Sequence, residues 1–291
     1  MNNTKNNIQI SFIIPSYNCE ATLVEAVESI LALGLQFYEI CLVDDGSTDS
    51  TWVILERYQK LYPEKVKIGK NQKNLGGAIT RNECVKLSTY PYIFCLDSDN
   101  YLDVSTFNNF IKHINKDDHI ISFGNISFFA NVGPLKISYK SWHFLPDEMR
   151  FDDLRKTNAN PVASSNHLFT REMYDLMGGY DTDLGALDNF SLGYKALVKG
   201  YKIKLVKNTT IHYRLHPNSY WVRENNTNNE NFRKLLLRYP DRFSLEETQR
   251  LKEVSDVGEV FYNKQNDFSK VDFKPVFKLV SWVHNKFFTR K

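Results

Sequence analysis

Short apolar runs alternate with amphipathic segments along the first hundred residues of the chain. Ile8–Pro15 is an apolar, β-branched run ended by proline, which indicates a buried strand. Glu20–Leu33 repeats apolar residues at helical spacing and is followed by Gly34. The alternation continues with predicted strands and helices at Tyr38–Val43, Ser50–Leu61, Lys65–Gly69, Ala78–Leu87 and Tyr92–Leu96. This order predicts an α/β fold with a mainly parallel sheet flanked by helices.

Beyond Asn100 the pattern changes to longer strands and more polar helices. Ile120–Ala130 and Leu135–Phe144 predict a hairpin, and shorter strands are expected at Ile203–Val206 and Thr210–Arg214. From about residue 225 the chain is charged, rich in asparagine and helical in pattern. We therefore expect one large domain over residues 1–225 and a helical C-terminal extension over residues 226–291.

Acidic residues follow two of the predicted strands. Asp44 and Asp45 come after the second strand, and Asp97 and Asp99 come after the fourth. Ligands of such sheets bind beyond the carboxyl ends of the strands, so these side chains should share one crevice. Four carboxylates there would repel one another unless a cation or a donor-rich ligand compensates them. The Asp97-Ser98-Asp99 sequence can offer oxygen ligands to a divalent cation that also binds a diphosphate, although a turn with solvated acids is the alternative.

Composition narrows the class of protein. The 291 residues are 42% hydrophobic and 24% charged, with a net charge of +3, which excludes a disordered chain and a dedicated nucleic-acid binder. The four cysteines form no CxxC pair, and we expect them to be small buried residues of a reducing compartment. Because we find neither a secretory leader nor a long apolar stretch, we expect a cytoplasmic protein, free or peripheral on the inner face of the cell membrane.

Seven short segments occur in the order and near the spacing typical of one enzyme family. They are FIIPSYN (Phe12–Asn18), VDDGSTD (Val43–Asp49), NLGGAITRN (Asn74–Asn82), LDSDN (Leu96–Asn100), GGYD (Gly178–Asp181), KGY (Lys199–Tyr201) and YRLHPNS (Tyr213–Ser219). With them the chain resembles the family 2 glycosyltransferases, inverting nucleotide-sugar enzymes with the GT-A fold, over roughly residues 8–220. The resemblance implies metal-dependent transfer of a sugar from a nucleotide-sugar donor to a hydroxyl of a glycan or lipid-linked acceptor. A UDP-sugar is the preferred donor. Bacterial surface polysaccharide or glycoconjugate assembly is the process it suggests.

The resemblance also implies roles for individual residues. Tyr17 would lie against the uracil, and Asp45 would read the base. The nucleotide-binding set would comprise Pro15, Ser16, Tyr17, Asn18, Asp44, Asp45, Arg81, Asp97, Ser98 and Arg214. Asp97, Asp99 and His216 would hold Mn²⁺ or Mg²⁺, with His212 as a second choice for the histidine ligand.

The general base is the point at which this sequence departs from the family pattern. Counting back from Lys199, the usual Glu-Asp pair falls on Asp188-Asn189, and asparagine cannot act as a base. Asp188 is the preferred candidate, Asp181 and Asp183 are alternatives, and an impaired enzyme is a further reading. Helix N-capping would also explain Asp188.

The C-terminal segment carries a separate signal. Residues 270–291 combine an apolar, aromatic helical face with lysine and arginine, a pattern suited to a membrane surface. The same pattern fits packing on the preceding domain or pairing of two subunits in a homo-oligomer. Two other functions stay open, namely a nucleotidyltransferase and a non-catalytic nucleotide-binding relative that has lost its base.

Overall fold

The structure is a computed structural model that describes residues 8–132, 135–143, 147–156, 166–215 and 225–254. The described residues contribute nine strands to one sheet. These strands are β1 (Gln9–Ser16), β2 (Phe37–Asp44), β3 (Val66–Lys70), β4 (Tyr92–Cys95), β5 (Ile120–Val132), β6 (Leu135–His143), β7 (Glu148–Met149), β8 (His167–Thr170) and β9 (Ile203–Arg214). Their spatial order is β3-β2-β1-β4-β8-β5-β9-β7, and β6 pairs with β5.

Helices connect the strands and cover both faces of the sheet. They are α1 (Leu23–Leu31), α2 (Thr51–Leu61), α3 (Gly77–Leu87), α4 (Val104–Ile111), α5 (Phe151–Lys156), α6 (Arg171–Met177), α7 (Asp188–Val198), α8 (Asn225–Leu237) and α9 (Leu245–Glu253). A short 3₁₀ turn, Gly185–Leu187, leads directly into α7.

The first four strands form the parallel half of the sheet. Strand β1 pairs in parallel with β2 and β4, and β2 pairs in parallel with β3. Strand β8 is antiparallel to β4 and to β5, whereas β9 runs parallel to β5. The predicted α/β fold with a mainly parallel first half is therefore confirmed, and so is the β5–β6 hairpin.

One detail of the strand prediction is wrong. Ile203–Arg214 is a single strand rather than two, and Asn208 adopts a positive φ of 56° within it. The pairing of β9 with β5 shifts register opposite this region. A local irregularity of this kind keeps the strand in the sheet while it interrupts the apolar pattern, which explains why the sequence suggests a break.

Successive side chains of a strand point to opposite faces of the sheet, so the core forms two layers. Ile10, Phe12 and Ile14 of β1 lie in one cluster, while Ile13 lies in the other, on the opposite face of the sheet. All four cysteines are buried and free, which confirms the prediction that they are small buried residues.

Helices α8 and α9 pack on the preceding part of the chain. Leu235, Leu236 and Leu251 are fully buried in the same cluster as residues of α7. The boundary placed at residue 225 stays a prediction, as does the role of residues 270–291, which lie outside the described residues. No helix in the described part of the chain has the length and apolar composition needed to cross a bilayer.

Candidate active site

The carboxyl ends of the parallel strands bring the predicted acidic residues to one edge of the sheet. Ser16 at the end of β1 is paired with Asp44 at the end of β2. Strand β4, on the other side of β1, ends at Cys95, and Asp97 and Asp99 follow two and four residues later. The crevice that the sequence predicts at this edge therefore has acidic residues from two strands beside it.

Both carboxylate oxygens of Asp45 are hydrogen-bonded to other residues of the chain. Its Oδ1 accepts hydrogen bonds from Asn71 Nδ2 at 2.7 Å and from the Leu75 amide at 2.9 Å. Its Oδ2 accepts from the Gly76 amide at 2.9 Å, and the residue is only 3% exposed. These three bonds tie the loop between β3 and α3 to the turn after β2. Asp45 thus holds this loop against the turn, with both oxygens already bonded.

The neighbouring Asp44 differs from Asp45 in its hydrogen bonding. Its Oδ1 accepts from the Ser47 amide at 3.0 Å, which fixes the carboxylate plane. Its Oδ2 is buried without a hydrogen-bond partner, and Lys70 Nζ lies 3.8 Å from it. That distance is an ion pair rather than a hydrogen bond. A buried carboxylate oxygen without a donor is costly, so Asp44 has unused capacity to accept one.

The segment after β1 is held against the same turn. The Asn18 amide donates to Ser47 Oγ at 2.9 Å, and Asn18 Oδ1 accepts from the Thr48 amide at 2.8 Å. Asn18 adopts a positive φ of 46°, a conformation that asparagine tolerates better than most residues. Between these anchors, Ser16 is buried while Pro15 and Tyr17 are partly exposed. Four of the residues predicted for the nucleotide, Pro15 to Asn18, are therefore held next to the turn that follows Asp44.

Arg81 joins two of the predicted site residues. Its guanidinium donates to Asp97 Oδ1 at 2.8 Å and, through its other terminal nitrogen, to Asp188 Oδ2. Burial alone lowers the pKa of Arg81, but the charges of Asp188 and Asp97 raise it well above its ordinary value. Because Arg81 lies on α3 and Asp188 begins α7, this contact fixes the start of α7 next to the Asp97 turn.

All three candidate bases are paired with cations in this structure. Besides its contact with Arg81, Asp188 accepts from the Asn189 amide at 2.7 Å, and it is 1% exposed. Asp181 lies 3.1 Å from Lys195 and 3.4 Å from Arg238.

Asp183 shares Arg238, the residue that follows α8, with Asp181. It lies 2.7 Å from Arg238 and 2.5 Å from Lys234, which lies within α8. Hydrogen bonds from these two cations lower the pKa of Asp183 to about 2. Asp181 and Asp183 therefore help to dock α8, and only Asp188 shares a cation with the Asp97 turn.

Arg214 supports the Asp97–Asp99 turn from the side of β9. Its Nε donates to the Asp99 carbonyl at 2.6 Å, and its amide donates to Asn100 Oδ1 at 2.8 Å. One terminal nitrogen pairs with Glu25 of α1, and the other is buried without a hydrogen-bond partner. Burial tends to raise the pKa of Glu25, but Lys136 and Arg214 hold it below its ordinary value. Arg214 is thus positioned beside the turn, with one donor still unused.

The residues predicted for a metal are partly within the described chain. Asp97 and Asp99 supply carboxylate oxygens, the donor type that Mg²⁺ and Mn²⁺ prefer. Within the ranges that the structure describes, no three His, Cys, Asp or Glu residues gather as a metal site. His216 lies outside the described residues, and His212 stacks on Tyr101 with ring centroids 4.8 Å apart. Two carboxylates fit a cation that takes its remaining ligands from a diphosphate and water.

A buried histidine beside the site was not predicted from the sequence. His167 of β8 is opposite Cys95 of β4 and is fully buried, and neither ring nitrogen has a hydrogen-bond partner. Burial, with a smaller contribution from the charge of Arg81, lowers the pKa of His167 to about 3. The ring is therefore neutral at physiological pH.

Other contacts of the site were also missed by the sequence analysis. Glu25, Lys70 and Asn71 each bind a residue of the predicted site. Glu25 is one acid among several on an amphipathic helix, so its spacing carries no signal. Lys70 and Asn71 directly follow the strand predicted over Lys65–Gly69, and the carboxyl-end argument could have drawn attention to both.

Comparison with known proteins gives the family. Residues 11–177 match the sequence profile of Glycosyl transferase family 2. A 116-residue segment is 34% identical to the UDP-Glc:alpha-D-GlcNAc-diphosphoundecaprenol beta-1,3-glucosyltransferase WfaP of Escherichia coli, over 40% of this chain and 45% of WfaP. Alignments with the curated relatives cover between 15% and 57% of the relatives' own length.

Two solved structures share the fold. S. aureus TarS 1-349 in complex with UDP-GlcNAc aligns with 94% of this chain and 79% of its own, at a TM-score of 0.60 and 16% identity. The mannosyltransferase PcManGT of Pyrobaculum calidifontis, in complex with GDP-Man and Mn²⁺, aligns with 97% of this chain and 71% of its own, at a TM-score of 0.58 and 15% identity. The strand order, the edge of acidic residues and the profile match agree, and the chain belongs to the family 2 glycosyltransferases.

Proposed function

We propose that this protein is a metal-dependent inverting glycosyltransferase that moves a sugar from a UDP-sugar to a hydroxyl of a glycan or lipid-linked acceptor. The observation that carries the proposal is the bridge formed by Arg81, which holds Asp97 of the DxD sequence and Asp188 together. The Arg81 guanidinium thus lies between Asp97, a carboxylate suited to binding the sugar donor, and Asp188, a carboxylate suited to the acceptor. The bound UDP-GlcNAc of TarS supports the donor class.

On the donor side, we assign binding of the base and binding of the diphosphate to different residues. Asp44 has the unsatisfied buried oxygen and is proposed to accept the N3–H of uracil, whereas Asp45 holds the loop between β3 and α3. This reverses the emphasis that the sequence alone placed on Asp45. Tyr17 and the residues on either side of it are proposed to line the base, and Ser98 and Arg214 to approach the ribose and diphosphate.

Asp97 and Asp99 are the residues that would hold Mn²⁺ or Mg²⁺, with His216 as a further proposed ligand. A divalent cation there would neutralise charge that develops on the departing nucleoside diphosphate, which is a large electrostatic contribution in such reactions. The positive charge of Arg81 would supply part of the same neutralisation from the protein itself. The Mn²⁺ in the PcManGT complex supports a cation in this fold.

We assign the general base to Asp188, because Asp181 and Asp183 are engaged in docking α8. In the present arrangement the Asp188 carboxylate is covered and paired with Arg81, so it cannot reach an acceptor hydroxyl. A bound diphosphate is a second anion that competes for Arg81. When Arg81 turns toward the diphosphate, Asp188 is released to take the acceptor proton while the hydroxyl attacks C1 from the face opposite the leaving group. A single displacement of this kind inverts the anomeric centre.

The acceptor is proposed to belong to bacterial surface polysaccharide or glycoconjugate assembly. The name of WfaP specifies an acceptor linked to diphosphoundecaprenol, which is a lipid. A basic, aromatic segment over residues 270–291 suits contact with the inner face of a membrane where such acceptors lie. Pairing of two subunits through the same segment is the alternative.

A donor panel tests the proposal directly. The purified chain is incubated with UDP-glucose, UDP-GlcNAc, UDP-galactose and GDP-mannose, with Mg²⁺, Mn²⁺ or EDTA, and release of the nucleoside diphosphate is measured with and without an undecaprenyl-diphosphate glycan. We expect metal-dependent release of UDP. Asp188→Asn should lower turnover by about 10²–10⁴-fold with little change in UDP affinity. Release of a sugar 1-phosphate instead would favour a nucleotidyltransferase, because transfer of the nucleotidyl group breaks the bond between the two phosphates of the UDP-sugar.

A non-catalytic nucleotide-binding relative is the second candidate, and Asn189 favours it. Asn189 occupies the position at which the resemblance expects the base, and it is buried against Asp188. UDP binding without turnover of any sugar in the panel would support this candidate. Under it, Asn189→Asp would create turnover, whereas under the enzyme proposal the same change adds a second buried carboxylate and reduces turnover.

A further inference from the structure

We propose that Lys70 is a specificity-determining residue that, together with Asp44, selects uracil as the base of the donor. The inference rests on the proposed function, since it concerns the nucleotide site of that same reaction. Lys70 ends β3 and is paired in register with Asp44, the last residue of β2. The two side chains therefore leave adjacent parallel strands at the edge where ligands bind.

The two charged groups have complementary unused bonding capacity. Asp44 Oδ2 is buried and receives no hydrogen bond, and Lys70 Nζ lies 3.8 Å away, beyond hydrogen-bond distance. A carboxylate oxygen accepts and an ammonium donates. An edge that presents an N–H next to a carbonyl would satisfy both, because its N–H can donate to Oδ2 while its carbonyl accepts from Nζ. The N3–H of uracil lies beside a carbonyl on each side, whereas N3 of cytosine carries no hydrogen and would face the carboxylate as an acceptor.

One contact holds each of the two side chains in place. Asp44 is fixed because its Oδ1 accepts from the Ser47 amide, so Oδ2 cannot rotate to another donor without breaking that bond. Lys70 Nζ lies 4.7 Å from the ring centroid of Trp52, a cation–π contact that keeps the ammonium near the carboxylate. The Lys70 side chain is 45% exposed, so it can move aside to admit a base and then close on the carbonyl.

Nucleotide binding to the full chain tests the inference. Isothermal titration calorimetry in the presence of Mg²⁺ compares UDP, CDP, GDP and 3-methyluridine diphosphate, which lacks the N3–H. For the wild type we expect UDP to bind at least tenfold more tightly than CDP and 3-methyluridine diphosphate, neither of which can donate an N3–H. GDP, whose N1–H also lies beside a carbonyl, tests whether the site takes a purine instead. Lys70→Met, which keeps the length of the side chain, should weaken UDP by about tenfold or more, the loss expected for one hydrogen bond to a charged group. It should weaken CDP by less than about threefold, because CDP does not make the paired contact.

Controls separate base reading from general attraction of the diphosphate. Lys60→Met removes an exposed lysine of α2 and should leave all four affinities unchanged. Lys70→Arg retains a hydrogen-bond donor and should keep the wild-type preference for UDP over CDP. Equal weakening of UDP and CDP by Lys70→Met would overturn the inference, because it would show that Lys70 acts on the diphosphate. A wild-type preference for GDP over UDP would overturn the choice of uracil.

The outcomes also distinguish this inference from the proposed function. If the wild type binds UDP in preference to CDP and Lys70→Met keeps that preference, only the role of Lys70 is refuted. If the wild type binds neither UDP nor any UDP-sugar, the proposed transfer from a UDP-sugar is refuted as well.

Discussion

Replacing Arg81 with methionine tests the central contact of the candidate site. Methionine fills much of the space of the arginine stem but supplies no charge. The Arg81 side chain is 7% exposed and serves Asp188, which is 2% exposed, and Asp97, which is 19% exposed. Removing one partner of a buried ion pair costs about 3–5 kcal/mol, because the remaining charge is left uncompensated. We expect Arg81→Met to lower the free energy of unfolding by this amount.

A double-mutant cycle attributes that cost to the pair itself. In Asp188→Asn the buried carboxylate is replaced by a neutral group of similar shape, so the arginine has less charge to compensate. The double variant should therefore be more stable than the sum of the two single changes predicts, by about 1.5 kcal/mol or more. Urea denaturation followed by circular dichroism, at constant pH and salt, gives the four free energies of unfolding.

An exposed ion pair provides the matched control. Lys86 is 69% exposed and pairs with Glu83 at 2.7 Å on the surface of α3. Lys86→Met should change the free energy of unfolding by less than about 0.5 kcal/mol. Additivity of Arg81→Met and Asp188→Asn within about 0.5 kcal/mol would refute the reasoning, because it would mean that the two groups do not stabilise one another in the folded protein.

Three further changes probe the surroundings of the site. Asp45→Ala removes three hydrogen bonds that a buried carboxylate accepts from the loop, and a bond to a charged group contributes about 1.5–3 kcal/mol. Urea denaturation should therefore show a loss of about 3 kcal/mol or more, and a loss below about 1 kcal/mol would contradict the proposed anchoring of the loop. Gly46→Ala should cost more than about 3 kcal/mol because φ is +71° and the new Cβ would lie 2.6 Å from the Lys73 backbone. Its control, Gly34→Ala, has φ of +65° but open space and should cost only about 1–2 kcal/mol. His167, whose pKa falls from 6.5 to about 3 on burial, stays neutral in the folded state while the unfolded chain binds a proton below 6.5. The wild type should therefore lose more stability than His167→Leu when the pH falls from about 7 to about 4, and equal losses in the two proteins would contradict this.

Much of the fold was predictable because its signals are local. The apolar runs of β1, β2 and β4 and the helical spacing of α1 depend only on residues a few positions apart, and these determine where each strand and helix lies. The acids after β2 and β4 could then be placed at one edge, because the carboxyl ends of parallel strands lie together. The irregularity at Asn208 was missed, since the interruption of the apolar pattern there suggests a loop rather than a bent strand.

The pairing of charges at the site was not predictable in the same way. Arg81 and Asp188 are 107 positions apart in the sequence, and nothing near either residue specifies the other. Asp44 and Asp45 are adjacent and chemically alike, yet one is saturated by the loop before α3 and the other retains an unbonded oxygen.

The sequence alone determined the order of strands and helices in the first hundred residues, the edge at which acidic residues gather and the resemblance to the family. The tertiary structure decided which of those acids are bonded to the chain, which are paired with arginine or lysine, and which helix Asp181 and Asp183 hold in place. The physical reason is that apolar periodicity acts along the chain, whereas Coulomb attraction and hydrogen bonding act through space. A charged side chain finds its partner only when packing has brought distant segments within a few ångströms.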